Sequence, residues 1–233
     1  MVTKDLKKTE EFFVPKHGLS LDVYVEKDIK QGIHHLARYL WAAEVLAERT
    51  DLKILDLACG AGYGSYILAK ALPKCIVVGG DYDKRALKHA NKNYKAVNLQ
   101  FQQADMVTWT CKDGTRPLGT YDVIISFDTI EHLLFRDIAF INLAEHLTKD
   151  GMLLLSTPVR KDSVFNPGWE HHKLEYGAAH LKNFTRRFFR DVITPDQPEF
   201  PNIEFWHDLN KGKVRYLNRN NPLVCQNPIK FGI

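Results

Sequence analysis

The chain has 233 residues, 45 % hydrophobic and 26 % charged, with a formal net charge of +4. Those proportions belong to a globular protein, and no run approaches the ~20 apolar residues that a bilayer-crossing helix needs. The four cysteines, Cys59, Cys75, Cys111 and Cys225, are scattered without a CxxC pair, so neither a zinc knuckle nor a disulfide framework is indicated. In chain order, residues 1–20 read as a loosely docked polar arm. Residues 28–49 read as a helix, because Ile33, Leu36, Leu40, Ala43 and Leu46 recur at helical spacing. KILDLA (53–58) is a short apolar run ending in glycines, a buried strand. GYGSYILAKAL (62–72) is helical, CIVVGGD (75–81) a strand, KRALKHANKNYK (84–95) a helix, and LQFQQAD (99–105) a third strand. YDVIISFD (121–128) gives a fourth strand, IAFINLAEHL (138–147) a helix and GMLLLST (151–157) a fifth strand. Apolar strands alternating with helices predict βαβ units around a parallel sheet covered on both faces. After Pro158 the pattern changes. Residues 160–172 read as a loop, 175–189 as a helix, and RDVIT, IEFWHD and PLVCQN as short strands that finish the sheet. The whole reads as one domain over 1–233: an N-terminal arm and helix (1–50), a core of alternating strands and helices (51–158) and a final stretch of loop, helix and closing strands (159–233).

The N-terminal MVTKDLKKTEEFF has mixed charges and no apolar signal core, which makes the cytoplasm the expected compartment. The whole positive surplus lies late in the chain. From Pro158 onwards 12 Lys/Arg face 8 Asp/Glu, while the remainder balances 20 against 20. No block of five basic residues occurs, so nucleic acid is not an expected partner, and without a bilayer-length apolar run neither is a membrane. The oligomeric state is not legible.

The chemical signal begins at ILDLACGAGYG (54–64), a strand that runs into a glycine-rich turn and opens a helix. Glycine lets the backbone bend tightly and a ligand approach, and the helix start offers unpaired N–H groups. The spacing of Gly60, Gly62 and Gly64 is G-x-G-x-G, not the G-x-G-x-x-G of nicotinamide enzymes. Asp56, at the strand end, would repel a pyrophosphate but suits a cationic ammonium, which points to a cofactor with an amino-acid tail. Asp81 follows Gly60 by 21 residues, at the end of the next strand, where a carboxylate can accept from both ribose hydroxyls. Asp81 could instead cap the following helix. Asp105, after the third strand, is placed to take an adenine amino group or to cap a turn.

These segments resemble the class I S-adenosylmethionine-dependent methyltransferases over about residues 30–160. ILDLACGAGYG is similar to the family's first motif, with Ala58 where many members have glycine. VVGGDYD is similar to the second, QQADM to the third, and YDVIISFDTIEHL (121–133) to the fourth. The resemblance implies a Rossmann-like α/β fold, a seven-stranded, mostly parallel sheet with helices on both faces and an antiparallel last strand. It implies S-adenosylmethionine as cofactor and S-adenosylhomocysteine as product. It sets Asp56, Gly60 and Gly62 near the methionine part, Asp81 on the ribose, Tyr82 over the adenine and Asp105 at its amino group, with Ala58, Met106 and Phe127 also in the cofactor site. HHLARYLWA (34–42) is similar to a helix in members that act on sugars or small molecules, where Arg38 and Tyr39 would reach the cofactor's carboxylate.

Acceptor chemistry is expected in two places. The fourth motif supplies Asp128, Glu131 and His132 just past a strand end. The loop NPGWEHHKLEYG (166–177) supplies His171, His172, Glu175 and Tyr176. His172, Asp128 and His132 are the catalytic candidates, with histidine titrating near neutrality as the base; His171, Glu175 and Tyr176 are the substrate-contact candidates. No metal is expected, since the adjacent histidines lack a matched third ligand in sequence. The expected activity is methyl transfer to a small molecule or glycan, on a sugar hydroxyl. An RNA or protein methyltransferase, suggested by Arg186, Arg187, Arg190, Lys211, Lys213 and Arg215, and a non-catalytic cofactor-binding subunit are the alternatives.

Overall fold

The computed structural model describes residues 12–27, 29–111, 116–210 and 221–232. The elements in chain order are α1 (Leu21–Glu26), α2 (Lys30–Leu46), β1 (Lys53–Leu57), α3 (Tyr63–Ala71), β2 (Ile76–Asp81), α4 (Lys84–Asn93), β3 (Leu99–Gln103), β4 (Thr110–Cys111), β5 (Arg116–Pro117), β6 (Tyr121–Phe127), a 3-10 turn (Ile130–His132), α5 (Arg136–Glu145), β7 (Leu147–Ser156), β8 (Val159–Arg160), β9 (Val164–Phe165), β10 (Leu174–Gly177), α6 (Ala178–Thr185), β11 (Phe189–Ile193), α7 (Ile203–Asn210) and β12 (Leu223–Pro228). Seven of the strands make the mostly parallel sheet of a Rossmann-like fold, in which β12 runs antiparallel to its neighbours. The chain divides into two compact units, residues 1–103 with 201–217 and residues 104–200 with 218–233.

In the first unit β1, β2 and β3 are parallel, with Asp56 opposite Gly79 and Asp81 opposite Gln103. Ile54, Leu55, Val77 and Val78 are buried, as near-continuous apolar runs require in a sheet covered on both faces. The arm is docked rather than loose at its described end: the Phe13 ring stacks on His35 at 4.7 Å and meets Tyr63 edge-on at 5.5 Å. IEFWHD, read as a strand, is the helix α7. Its Trp206 is buried against Trp41 with ring centroids 5.6 Å apart, while Glu204 and Asp208 stay exposed. A helical face, not alternation, is what buries the tryptophan.

In the second unit β6 and β7 are parallel, and β12 pairs antiparallel with both β7 and β11. The expected closing hairpin is therefore formed by RDVIT and PLVCQN. The expected strand at 151–157 begins earlier, at Leu147, with a register irregularity near Tyr121. The expected helix 175–189 is only α6. Leu174–Gly177 is wholly buried and pairs with β8 and β9, so it is a strand; four consecutive buried residues suit a strand covered on both sides better than an amphipathic helix. The basic residues Lys211, Lys213 and Arg215 lie outside the described residues.

Candidate active site

At the end of β1 the backbone turns through the left-handed region at Ala58 (φ 65°), Gly60 (φ 53°) and Gly62 (φ 85°). Glycine takes that conformation without steric cost, and Ala58 takes it at a cost of about 1 kcal/mol. Cys59 N–H donates to the Gly80 carbonyl at 3.0 Å and Gly62 N–H to the Cys59 carbonyl at 3.0 Å, which ties the loop to β2. The third glycine serves packing instead. A Cβ on Gly64 would lie 2.1 Å from Tyr39 Cζ, so α2 can lay the Tyr39 ring on α3 only because residue 64 has no side chain.

That ring delivers the Tyr39 hydroxyl to Asp56. The Asp56 carboxylate is wholly buried and accepts from Tyr39 (3.0 Å) and from the Ser65 hydroxyl (2.6 Å). Burial pushes its pKa up from 3.8 to about 7, the Asp81 charge adds to the rise, and the two hydrogen bonds oppose it. Burial and the Asp56 charge likewise push the Tyr39 hydroxyl well above its ordinary value. Arg38, also buried, bonds through its guanidinium to His35 Nδ1 at 3.0 Å. Asp81 is 3 % exposed and accepts from the backbone N–H of Gly60 and of Asp83, both at 2.8 Å. It is not the cap of α4. Asp83 is, accepting from Arg85 N–H at 2.7 Å. Tyr82, next to Asp81, is 64 % exposed.

In the second unit Asp105 lies beyond β3, and its carboxylate accepts from the N–H of Val107 (2.8 Å) and Thr108 (3.1 Å), capping that turn. Met106 is buried, with its carbonyl bonded to Asn142, and Phe127 is buried at the end of β6. Asp128 follows at φ 50° and takes a 3.4 Å bond from Ser156 Oγ. A non-glycine residue in the left-handed region at a strand end is strained, a condition that clusters at functional sites.

Four of the expected acceptor-side residues are brought together. His172 Nδ1 is 2.6 Å from Glu175 Oε1, and Glu175 Oε2 accepts from Arg160 Nε. Burial alone would raise the Glu175 carboxyl, but Arg160 and His172 more than offset it and hold the pKa below its usual range. The His132 ring meets the His172 ring edge-on at 4.8 Å, and His132 Nδ1 is bonded to the His171 carbonyl at 3.1 Å. Burial and the neighbouring His172 push the His132 pKa down to about 4, so its imidazole is neutral at ordinary pH. The His171 ring itself faces outward towards Glu170, 3.3 Å away. Tyr176 is buried among Phe184 and His180, and burial raises its hydroxyl pKa despite the nearby Arg136. Beside His172 lies an open surface depression of about 200 Å³ whose other lining residues are Asn166, Gly168, Trp169 and Glu170.

Three residues of these constellations were not singled out in the sequence: Ser65, Thr157 and Arg160. Thr157 donates to the buried Glu131 Oε2 at 2.7 Å. Ser65 had a signal, since it lies in the first turn of the helix after the glycine loop. Arg160 had none, because its partner is 15 residues away on another strand.

The profile of the family described as a methyltransferase domain matches residues 48–215. The chain is 32 % identical over 232 residues to malonyl-acyl-carrier-protein O-methyltransferase of Bacillus cereus, covering 92 % of this chain and 82 % of that one. It is 31 % identical to phosphoethanolamine N-methyltransferase of Triticum aestivum, covering 67 % of this chain and 31 % of that one. Among solved structures it is similar, with a TM-score of 0.55 at 15 % identity, to the O-methyltransferase of a trans-AT PKS multienzyme of Brevibacillus brevis in complex with S-adenosyl-L-homocysteine, covering 94 % and 82 % of the two chains; this likeness is one of fold. A family profile over most of the sequence, with a relative one-third identical along nearly all of it, places the chain in the methyltransferase-domain family as a class I S-adenosylmethionine-dependent methyltransferase.

Proposed function

We propose that the protein methylates an oxygen of a small molecule or glycan, and that a sugar hydroxyl is the acceptor its chemistry suits best. The observation that carries this reading is the His172–Glu175 pair beside the open depression. An ionised carboxylate only accepts, so Nδ1 of His172 carries the hydrogen and Nε2 is left as the base. Glu175 then stabilises the imidazolium that forms, and Arg160 holds Glu175 in place. A hydroxyl acceptor profits from such a base, whereas a carboxyl acceptor is already ionised near neutrality and does not. Trp169, 41 % exposed, offers an indole face beside Asn166 and Glu170, a mixture of flat apolar and polar groups that suits a sugar ring.

When bound, S-adenosylmethionine supplies a methyl group on a sulfonium, which leaves the protein mainly the task of alignment. The donor set of the first unit fits such a molecule. Asp81 and Asp56 offer carboxylates to a diol and a cationic amino-acid end, Arg38 offers a buried guanidinium to a carboxylate, and Tyr82 offers an exposed ring. Ala58, Gly60, Gly62 and Tyr39 shape the loop and its support.

A carrier-bound acyl group is the second reading. Similarity to the Bacillus cereus protein favours it, as do the exposed Leu134, Phe135 and Phe165. The test is transfer of radiolabelled methyl groups to free sugars, nucleotide-sugars and a malonyl thioester in parallel. Label in the sugars supports the first reading, and label in the thioester alone replaces it with the second. His172→Ala should keep cofactor affinity by calorimetry and lower turnover about 100-fold or more; an unchanged rate removes His172 as the base.

A further inference from the structure

We infer that Glu131, His132 and His172 form a binding site for a borderline divalent cation of the zinc class. One donor atom from each lies within 4.8 Å of the other two. Glu131 is wholly buried, His172 is 6 % exposed, and the His132 side chain is 22 % exposed. The sequence hides this triad, because the histidines that lie in space beside Glu131–His132 come from a loop 40 residues later.

The surroundings are those of ligands already oriented. Each histidine has its Nδ1 engaged by an oxygen, the His171 carbonyl for His132 and Glu175 for His172. That fixes the tautomer and leaves both Nε2 atoms as acceptors, the outer-sphere arrangement of metal-bound imidazoles. His132 Nε2 is 3.8 Å from Glu131 Oε1, while the other Glu131 oxygen accepts from Thr157 Oγ1 at 2.7 Å. Two imidazoles and a carboxylate match zinc, and are poor ligands for magnesium. Tetrahedral zinc, with bonds of about 2.0–2.2 Å, sets its donors roughly 3.3 Å apart. Binding therefore draws the present donors inward by about 1 Å, within reach of side-chain rotation at the partly exposed His132. The site shares His172 with the proposed base. A cation on Nε2 occupies the lone pair that would take the acceptor's proton, so metal-loaded and base-competent forms exclude each other, and zinc inhibits methyl transfer. This consequence, unlike the site itself, rests on the proposed function.

The test is calorimetric titration of the chelator-treated full chain with Zn²⁺, and separately with Mg²⁺. One zinc is expected per chain, with no magnesium uptake at the same concentrations. His132→Ala should weaken zinc binding about 100-fold and Thr157→Val about tenfold, while His35→Ala leaves it intact. Circular dichroism checks that each variant folds, and His132→Asn serves as a second variant at the partly exposed position. Visible absorption of the Co²⁺-loaded protein, lost in the His132 variants, reports the ligand set directly. Absence of stoichiometric zinc uptake, or uptake indifferent to His132, overturns the site. Zinc that raises methyl transfer overturns the exclusion while leaving the measured binding in place.

Discussion

Replacing Asp56 by asparagine removes an ionisable group from the interior while keeping its shape. In the native protein the carboxyl is fully buried and its pKa stands at about 7 against an ordinary 3.8. The folded state thus holds this proton more tightly than the unfolded chain. The resulting stabilisation is complete below pH 3.8 and is lost as pH rises towards 7. At about 1.4 kcal/mol per pH unit the gap amounts to about 4 kcal/mol, of which about 2.5 kcal/mol falls between pH 5 and pH 8. Asparagine has no proton to lose, and the Tyr39 and Ser65 hydroxyls can serve its oxygen and its amide. Urea unfolding of both proteins at pH 5 and pH 8 cancels every other titration, because the two share it. Asp56→Asn should gain about 2.5 kcal/mol on the native protein over that interval. If the two stability curves run parallel, the carboxyl ionises in the folded state as it does in the unfolded one, and the argument from burial is refuted.

Gly64→Ala should destabilise the protein by about 1–3 kcal/mol in a thermal melt, since the new Cβ must displace the Tyr39 ring 2.1 Å away; an unchanged melting temperature would show that the ring moves freely. Lys230→Met should cost about 1 kcal/mol in urea unfolding, because the ammonium bonds to the carbonyls of Ala144 and Glu145 at the end of α5 and of Leu147 at the start of β7; an equal stability would mean that water serves those carbonyls as well. Cofactor titration near pH 7 should release a fraction of a proton in the native protein and none in Asp56→Asn, because a cation beside Asp56 lowers its pKa. Comparing binding enthalpies in two buffers of different ionisation enthalpy reads that proton count, and a buffer-independent enthalpy in the native protein would separate Asp56 from the cofactor's charge.

The strands that carry the site were legible because burial on both faces leaves continuous apolar runs such as VVGGD and VIISF. The glycine loop was legible because its residues answer a backbone demand that few residue types meet. Elements of the later chain were misread for lack of a clear period. LEYG is too short to separate strand from helix, and IEFWHD shows its helical face only once Trp206 has Trp41 to pack on. Asp81 could be read as a ligand or as a cap, and only the fold assigns the cap to Asp83. The acceptor side was legible as a set of residue types but not as a set of contacts. Nothing in the chain links Arg160 to Glu175 before β8 pairs with β10, or Thr157 to Glu131 before β7 pairs with β6.

The two backbone bonds to Asp81 bear on how any substitution there is interpreted. One carboxylate stitches the glycine loop at Gly60 to the next turn at Asp83. An alanine at that position unpicks both stitches before a cofactor arrives. Its measured affinity is then a composite of two quantities, the lost ligand contact and the work of reshaping a loosened loop. Hydrogen exchange at the Gly60 amide in the cofactor-free protein separates them, because it times the loop alone.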